Sequence, residues 1–477
     1  MSRPQTQPDA EVFSEALAYP QTKKRSVAAR SFRTKLSPSN GSVFAAGSTI
    51  NLDLPGNLAG QYYNFNQMYL KFKLHVAGGT MHLDRAGALS CIKRIQIQTA
   101  GAQLFDLNNY NVLATALMDT NSSAEYKASS GNILMGTLGD QLQGVLLAAN
   151  SETTFCVPMM LNPFSMTTPH RMIPAFSLGA IQFKITLENS INIGKSSVAA
   201  PTLICTYSDV ELVSLMCELS PGAQSRIDSV TGGQYNILAN SYINSQGNIA
   251  TNLTQATVNL GVSVSSLERV IVVHRRDATV STFGTFNLGH RTTSGLQEFQ
   301  FLINSENYPS RPIICNNTAE SYAELLIADH CLTDFKLGNT LTSGCEPLNA
   351  QTADAASVQP TYSVLSGTAP GLAKSNCFYL KDGAGTSAGT VAASGAAHAP
   401  ATASNIGTFL CSCEFENGIS DGRSSHIYSG VSTISSNVQY KGTYSNVHAA
   451  ATIDFFSQFT VMISLNMRGS GVYAISV

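Results

Sequence analysis

The chain has 477 residues, which is longer than one hydrophobic core usually supports, and it is poor in charge. Charged residues make up 12% of it, apolar residues 43%, and the formal net charge is −2. This near-neutral balance argues against a general nucleic-acid binder, and sparse charge is typical of proteins that pack closely against neighbours.

The N-terminal segment, residues 1–38, is predicted to be a basic arm. It lacks the basic region and apolar run of a signal peptide, so we expect a chain that is not secreted through one. Between residues 16 and 47 there is no acidic residue. Six basic residues fall in this window: Lys23, Lys24, Arg25, Arg30, Arg33 and Lys35.

Two interpretations of this arm stay open, a solvated flexible tail or an inward-pointing tether. A tether would contact nucleic acid, a lipid surface or a neighbouring subunit. The preceding stretch, DAEVFSEALAYP, has the spacing of one or two amphipathic turns through Val12, Phe13, Ala16 and Leu17. In either case we expect residues 1–38 to be dispensable for folding.

Alternation of apolar and polar residues is the strongest pattern along the rest of the chain. In MYLKFKLHV, apolar side chains fall on one face and Lys71, Lys73 and His75 on the other. The same period of two recurs in AIQFKITLEN, ATVNLGVSV and QFTVMISLNM. This period predicts strands with one face on a core and one in water, as in antiparallel sandwiches or barrels.

Two short helices mark an internal repeat. One is predicted in NNYNVLATALMD and the other in NNTAESYAELLIADH, where Asn317 and Glu320 have capping-box spacing. Each helix follows a strand, turn and strand, and TFCVPMM and TFLCSCEF come later at matching places. We therefore predict two copies of one β-rich unit, each long enough for an eight-stranded sandwich.

The predicted domains follow from this repeat. Turn-forming residues in ELSPGAQSRIDSVTGGQ place a linker at 218–234, between a first unit at 39–217 and a second at 235–477. The second unit contains a longer interval at about 336–406, which includes the Ala-, Gly- and Ser-rich stretch 381–403. Such residues bury little apolar area, which predicts an elaborated surface loop.

No catalytic or metal-binding pattern is present in the sequence. The ten cysteines are scattered without C-x-x-C spacing, which favours buried reduced thiols, and no P-loop, H-E-x-x-H or G-x-S-x-G motif occurs. In VIVVHRRD, a structural ion-pair cluster beside His274 is favoured over an active site. We expect no enzyme activity, no metal and no cofactor.

The chain resembles the double jelly-roll major capsid proteins of the tectivirus and adenovirus lineage, especially those of polinton-like and related small eukaryotic DNA viruses. The likeness covers nearly the whole chain after residue 30. It is carried by SFRTKLSPSNGSVFAAGSTINLDLPG, IKRIQIQTAGAQLFDLNNYNVLATAL, LINSENYPSRPI and VMISLNMRGSGVYAISV.

This resemblance implies an all-β fold of two consecutive eight-stranded antiparallel jelly rolls, with a short helix in each and long outer loops. It implies a homotrimer that forms a pseudo-hexagonal capsomer of an icosahedral virion, with penton and minor capsid proteins as partners. The interval 336–406 would be an outer tower, and the arm would face the genome or an inner membrane. The alternative is a non-viral β-sandwich adhesin or glycan-binding module, although the chain contains no Trp for sugar stacking.

Overall fold

A computed structural model describes most of residues 29–476. Within this range it does not describe residues 57, 100–102, 139–142, 168–169, 197–202, 277–282, 284–285, 290, 292, 316–317, 330–331, 333–359, 363–377, 381–408, 416–429, 447 and 467–472.

The first half of the chain forms two main sheets. Its strands are β1 (Ala29–Leu36), β2 (Val43–Ala45), β3 (Thr49–Leu54), β4 (Gln61–Ala77), β5 (Met81–Asp84), β6 (Ile92–Thr99), β7 (Gln103–Leu107), β8 (Gln143–Leu147), β9 (Ser151–Pro158), β10 (Ile173–Pro174), β11 (Ile181–Leu187), β12 (Gly194–Ser196) and β13 (Ile204–Leu219). One main sheet has the order β1-β13-β4-β9, and the other has the order β3-β11-β6-β7. The short strands β2 and β10 add to the first sheet, and β12-β5-β8 form a third.

The second half repeats this arrangement. Its strands are β14 (Gln234–Ile249), β15 (Gln255–Leu260), β16 (Leu267–Arg276), β17 (Leu296–Ile303), β18 (Glu306–Ile314), β19 (Pro360–Tyr362), β20 (Phe378–Leu380), β21 (Cys411–Glu414), β22 (Val438–Tyr444), β23 (Ala451–Asn466) and β24 (Tyr473–Ser476). The main sheets have the orders β14-β23-β16-β21 and β15-β22-β17-β18, with β24 added beside β23.

Both halves have the same strand order. If the eight main strands of each half are counted along the chain, the sheets read 1-8-3-6 and 2-7-4-5 in both cases. All of these pairings are antiparallel. Two four-stranded sheets interleaved in this way form a jelly roll. The predicted fold, two consecutive eight-stranded jelly rolls, is confirmed.

The predicted strand faces form the cores of both jelly rolls. On β4 the side chains of Leu70, Phe72 and Leu74 are at most 1% exposed, while the lysines between them are half-buried. Strand β11 shows the same alternation, with four buried apolar residues separated by half-buried polar ones. Burial of one face per strand sets the register of the sheet, because a slip by one residue would turn that face to water.

Helices occupy equivalent places in the two jelly rolls. The described helices are α1 (Tyr110–Asn121), α2 (Ala124–Ala128), α3 (Ser130–Met135), α4 (Ser190–Ile193), α5 (Pro221–Thr231) and α6 (Thr318–Ala328), together with a short 3-10 helix at Gly87–Cys91. Both α1 and α6 follow the fifth main strand of their jelly roll, so the predicted helical repeat is confirmed. None of the described helices is long and apolar enough to cross a bilayer.

Helix α6 is held on its sheet by one partly buried arginine. Arg269 on β16 donates to the Ala328 carbonyl oxygen at the end of α6 over 3.0 Å, and to Oε1 of Gln458 over 2.7 Å. It also forms an ion pair with Asp329. The end of α6 is therefore fixed to β16 and β23.

The segment between the jelly rolls is helical. Helix α5 begins after Ser220, whose side chain accepts the Ala223 N–H, and ends at Gly232 with φ of 63°. A left-handed residue at this position favours glycine. Strand β13 ends at Leu219 and β14 begins at Gln234, close to the linker limits of 218 and 234 predicted from turn residues.

The predicted limit of the N-terminal arm at residue 38 is corrected by the structure. Ala29–Leu36 form the first strand of the first jelly roll and pair with β13 at all eight positions. Phe32 and Leu36 pack against the core while the basic residues between them face outward. The first jelly roll therefore begins near residue 29 instead of 39.

The interval 336–406, predicted to be a tower, lies almost entirely outside the described residues. Within it, β19 and β20 pair antiparallel from Pro360 to Leu380. The stretch 381–403 is not described, so its role as a loop tip stays a prediction.

Candidate assembly site at the seam between the jelly rolls

A cluster of buried charges joins the two jelly rolls, and we call it the seam cluster: Asp84, Arg85, Asp119, Lys127 and Arg291. The first four belong to the first jelly roll, at the end of β5, in the last turn of α1 and on α2. Arg291 comes from the connection between β16 and β17 of the second jelly roll. Every member is at most 4% exposed.

Asp119 is the centre of the seam cluster. Its Oδ1 accepts hydrogen bonds from Arg85 over 2.9 Å and Lys127 over 2.6 Å, and its Oδ2 accepts from Arg291 over 2.5 Å. Burial by itself raises the pKa of this carboxyl, but the three cations outweigh burial and hold the pKa well below its usual range. Asp119 is therefore ionised at neutral pH, and its charge is shared between both jelly rolls.

A second link between the two jelly rolls joins the Asp84 carboxylate to backbone N–H groups. Its Oδ2 accepts the Gly289 N–H over 2.9 Å and the Leu288 N–H over 3.3 Å, both from the second jelly roll. A Cβ at residue 289 would meet Asp84 Oδ1 at 2.1 Å, so only glycine permits this close approach.

A third link between the two jelly rolls is a hydrogen bond to Asp454. This residue is fully buried on β23 of the second jelly roll and forms an ion pair with Arg275 on β16 over 2.5 Å. Its Oδ1 accepts a 2.8 Å hydrogen bond from Asn109, which precedes α1 of the first jelly roll with φ of 51°. Asn tolerates this left-handed conformation better than most residues. The ion-pair cluster predicted beside His274 is present. Arg275, the residue after His274, pairs with Asp454.

Backbone contacts extend the seam beyond these charges. Thr167 forms an isolated antiparallel bridge with Ala239, and the Asn240 N–H donates to the Met166 carbonyl over 3.1 Å. The Ser196 N–H donates to the Phe283 carbonyl over 2.8 Å. Directional polar contacts of this kind fix one geometry, because an apolar interface would tolerate small rotations. The seam can therefore hold the two jelly rolls in one relative orientation.

His274, beside the seam, is a buried neutral histidine. It is fully buried on β16, and its Nε2 lies 3.0 Å from the Tyr444 hydroxyl. Burial, with a smaller contribution from the charge of His448, lowers its pKa to about 3.

We expect this histidine to make folding pH-dependent. Below about pH 6.5 the unfolded chain binds a proton at His274 that the folded chain does not, so stability falls by about 1.4 kcal/mol per pH unit towards pH 3. Urea unfolding at pH 7.0 and 5.0 should show a smaller loss for His274→Gln than for the wild type. His75→Gln, at a half-buried position on β4, is the matched control and should keep the wild-type slope. An equal slope in His274→Gln would contradict this assignment.

The six predicted site residues are not part of the seam. Lys23, Lys24 and Arg25 lie outside the described residues. Arg30 and Lys35 lie on β1 and form exposed ion pairs with Glu218 over 2.7 Å and Glu211 over 3.3 Å. Arg33 is exposed on the same strand. The three described cations, Arg30, Arg33 and Lys35, therefore do not form one site, and the contact of the six cations with a particle interior stays a prediction.

The seam cluster is not among the sites predicted from the sequence. Its members come from distant parts of the chain, Asp119 and Arg291 being 172 positions apart, and no local spacing connects the two. One signal was available. In a chain with 12% charged residues, Asp84 and Arg85 stand inside the mostly apolar run MHLDRAGALSC, where charges require buried partners.

No family model and no curated protein matches the sequence. Solved structures do match. The Faustovirus major capsid protein has a TM-score of 0.56 and 10% identity, over 94% of this chain and 92% of that chain. The mavirus major capsid protein has a TM-score of 0.52 and 11% identity, over 100% and 97%. PBCV-1 VP54, fitted into a reconstruction of the virophage Sputnik, has a TM-score of 0.56 and 10% identity, over 96% and 99%.

These likenesses show the fold. The matched chains are viral capsid proteins, and the alignments cover both halves of this chain. The fold is therefore the double jelly roll found in the Faustovirus and mavirus major capsid proteins, in agreement with the strand orders described above.

Proposed function

We propose that this chain is a major capsid protein that trimerises into pseudo-hexagonal capsomers and builds an icosahedral virus shell. The observation that carries the proposal is the pair of jelly rolls with one strand order, joined by a buried polar seam and similar over its full length to major capsid proteins. The alternative, an adhesin or glycan-binding module, has no support among these likenesses.

The duplication explains how a trimer can fill a hexagonal lattice. A jelly roll is a compact block, and two similar blocks held in one orientation supply two of six lateral positions. Threefold symmetry supplies the other four. Such a subunit must present its two halves at a fixed angle, and the seam contacts of Asp119, Asp84 and Asp454 serve that need.

The first test is the mass of the purified protein in solution. Light scattering coupled to size exclusion should give three times the chain mass at micromolar concentration, because the proposal requires a closed trimer as the building unit. A stable monomer over the same concentration range would contradict the proposal.

The other roles follow from the shell function. The main partners are copies of the same chain, with penton and minor capsid proteins completing the shell, and the location is the virion. The protein is a structural component without enzymatic activity. In support, the buried carboxylates of the seam, Asp84, Asp119 and Asp454, are held by hydrogen bonds and ion pairs within the protein.

The basic residues Lys23, Lys24 and Arg25 are the proposed contact with the particle interior. Their ligand would be the phosphate groups of the genome or of an inner membrane, since clustered cations bind phosphate irrespective of its carrier. In support, Arg30 and Lys35 on β1 already pair with carboxylates of the first jelly roll, so these two cations are less available for this contact.

The stretch 381–403 is the proposed outer tip of a tower. Replacing it with four Gly and Ser residues should leave the melting temperature unchanged or slightly raised. The loop-closure estimate gives a gain of at most about 1.6 kcal/mol, and small residues contribute little to a core. Calorimetry and the trimer fraction check this expectation. A melting temperature lowered by about ten degrees, or dissociation to monomers, would show that these residues pack at an interface.

A further inference from the structure

One face of the first jelly roll carries an apolar groove that the function proposed above does not explain. It lies on the side of the β1-β13-β4-β9 sheet that faces away from the core, and its volume is about 500 Å³. We call it the sheet groove and define it by six lining residues: Arg33, Tyr69, Leu134, Cys156, Pro158 and Leu215.

The register of the sheet explains why these residues meet. Arg33 on β1 pairs with Leu215 on β13, and Tyr69 on β4 pairs with Pro158 on β9. The groove thus crosses the sheet from its edge strand to β9. Beyond β9, helix α3 closes the other side with Leu134, and the neighbouring Ile133 is 81% exposed. An apolar depression with an exposed large apolar side chain beside it is typical of a docking surface.

Arg33 gives the groove a charge preference. Among the described residues no carboxylate lies within ion-pair distance of Arg33, whereas Arg30 and Lys35 on the same strand each have one. A cation at the edge of an apolar groove favours an occupant that combines apolar side chains with a carboxylate.

The chain contains such a segment upstream of β1. Residues 9–19, DAEVFSEALAY, carry Asp9, Glu11 and Glu15, which are the only acidic residues before β1. Val12, Phe13, Ala16 and Leu17 have helical spacing, so one face would be apolar with carboxylates at its border.

The length of chain permits docking on the same molecule. Eleven residues, 18–28, separate Leu17 from the first residue of β1, and they span up to about 36 Å when extended. Arg33 lies four residues along β1, about 13 Å from its start. A tethered segment is also present at high effective concentration, which favours it over a separate partner.

We propose that residues 9–19 dock in the sheet groove of their own chain, with Val12, Phe13 and Leu17 on its apolar floor and a carboxylate of Glu11 or Glu15 on Arg33. The N-terminal segment is then an intramolecular clasp over the edge strand β1. The proposal rests on the groove, the charge of Arg33 and the upstream sequence, and it holds whether or not the protein forms a capsid.

Cys156 provides a reporter inside the groove, because its side chain is half-buried there. We expect its alkylation by iodoacetamide, followed by peptide mass spectrometry, to be about tenfold faster in Phe13→Asp/Leu17→Asp than in the wild type, which corresponds to about 1.4 kcal/mol of docking. Arg33→Ala should also accelerate it, and Arg30→Ala on the same strand is the control that should not. Adding Glu11→Arg and Glu15→Arg to Arg33→Glu should restore protection.

Equal alkylation rates in the wild type and in Phe13→Asp/Leu17→Asp would overturn the proposal. The source of the segment is tested by cysteines placed singly at positions 12, 13, 16 and 17 and oxidised mildly. A disulfide to Cys156 within one chain is the expected result from at least one position, identified by peptide mass spectrometry of the band that runs as a monomer on a non-reducing denaturing gel. Covalent dimers through Cys156, or no cross-link from any of the four, would overturn docking on the same molecule.

Discussion

Asp119→Ala is expected to destabilise the protein by about 3 to 5 kcal/mol. The substitution leaves Arg85, Lys127 and Arg291 buried without the carboxylate that they share, and removing one partner of a buried ion pair costs this much because the remaining charges stay desolvated. Intact, the same cluster adds little compared with apolar packing, and its main effect is to select one orientation.

Urea unfolding at pH 7 measures this loss. Asp209→Asn is the control, because Asp209 pairs with Lys73 on the surface, where the two side chains are 58% and 38% exposed, and Asn tolerates the left-handed backbone of residue 209, whose φ is 50°. Exposed pairs contribute at most about 1 kcal/mol, so the control should unfold close to the wild type. Equal losses in the two variants would show that the seam cluster has no special role.

Deletion of residues 1–36 should destabilise the first jelly roll by about 3 to 6 kcal/mol. The deletion removes β1, which pairs with β13 along its whole length, and it removes the partly buried side chains of Phe32 and Leu36. Burying such a side chain contributes about 1.5 to 3 kcal/mol, and the exposed backbone of β13 adds to the loss.

Deletion of residues 1–28 is the control that separates strand from arm. It leaves β1 complete, so the melting temperature should fall by much less than on deletion of residues 1–36. The loss of unfolding free energy should be no more than the docking free energy of the clasp. Differential scanning calorimetry of both variants makes the comparison. If deletion to residue 36 were as harmless as deletion to residue 28, β1 would not belong to the folded jelly roll.

The regular part of the fold was predictable because its signal is local. The alternation of Leu70, Phe72 and Leu74 with polar residues indicates which face of the strand is buried. The helix after the fifth strand recurs in both halves. Similar local patterns at similar places along the chain predict the duplication.

The strand β1 was misjudged although its pattern was present. In ARSFRTKL, Phe32 and Leu36 lie on the inner face and Arg33 and Lys35 on the outer face, which is the alternation of an edge strand. The basic residues favoured the interpretation as an arm, yet charges facing outward are also common on edge strands because they oppose unwanted pairing.

The seam could not be predicted from local patterns. Asp84 and Gly289 are 205 residues apart, and nothing in either neighbourhood specifies the other. Contacts of this kind depend on how two completed jelly rolls meet, which is a property of the tertiary structure. Only the rarity of charge in apolar runs indicates that such residues must find partners.

The most direct test of the proposed capsid function is negative-stain electron microscopy of the purified protein. A capsomer of three double jelly-roll chains should give uniform particles with threefold symmetry and a pseudo-hexagonal outline, in which six similar blocks of density come from three chains. Particles that contain a single pair of blocks, or oligomers without a threefold axis, would contradict it.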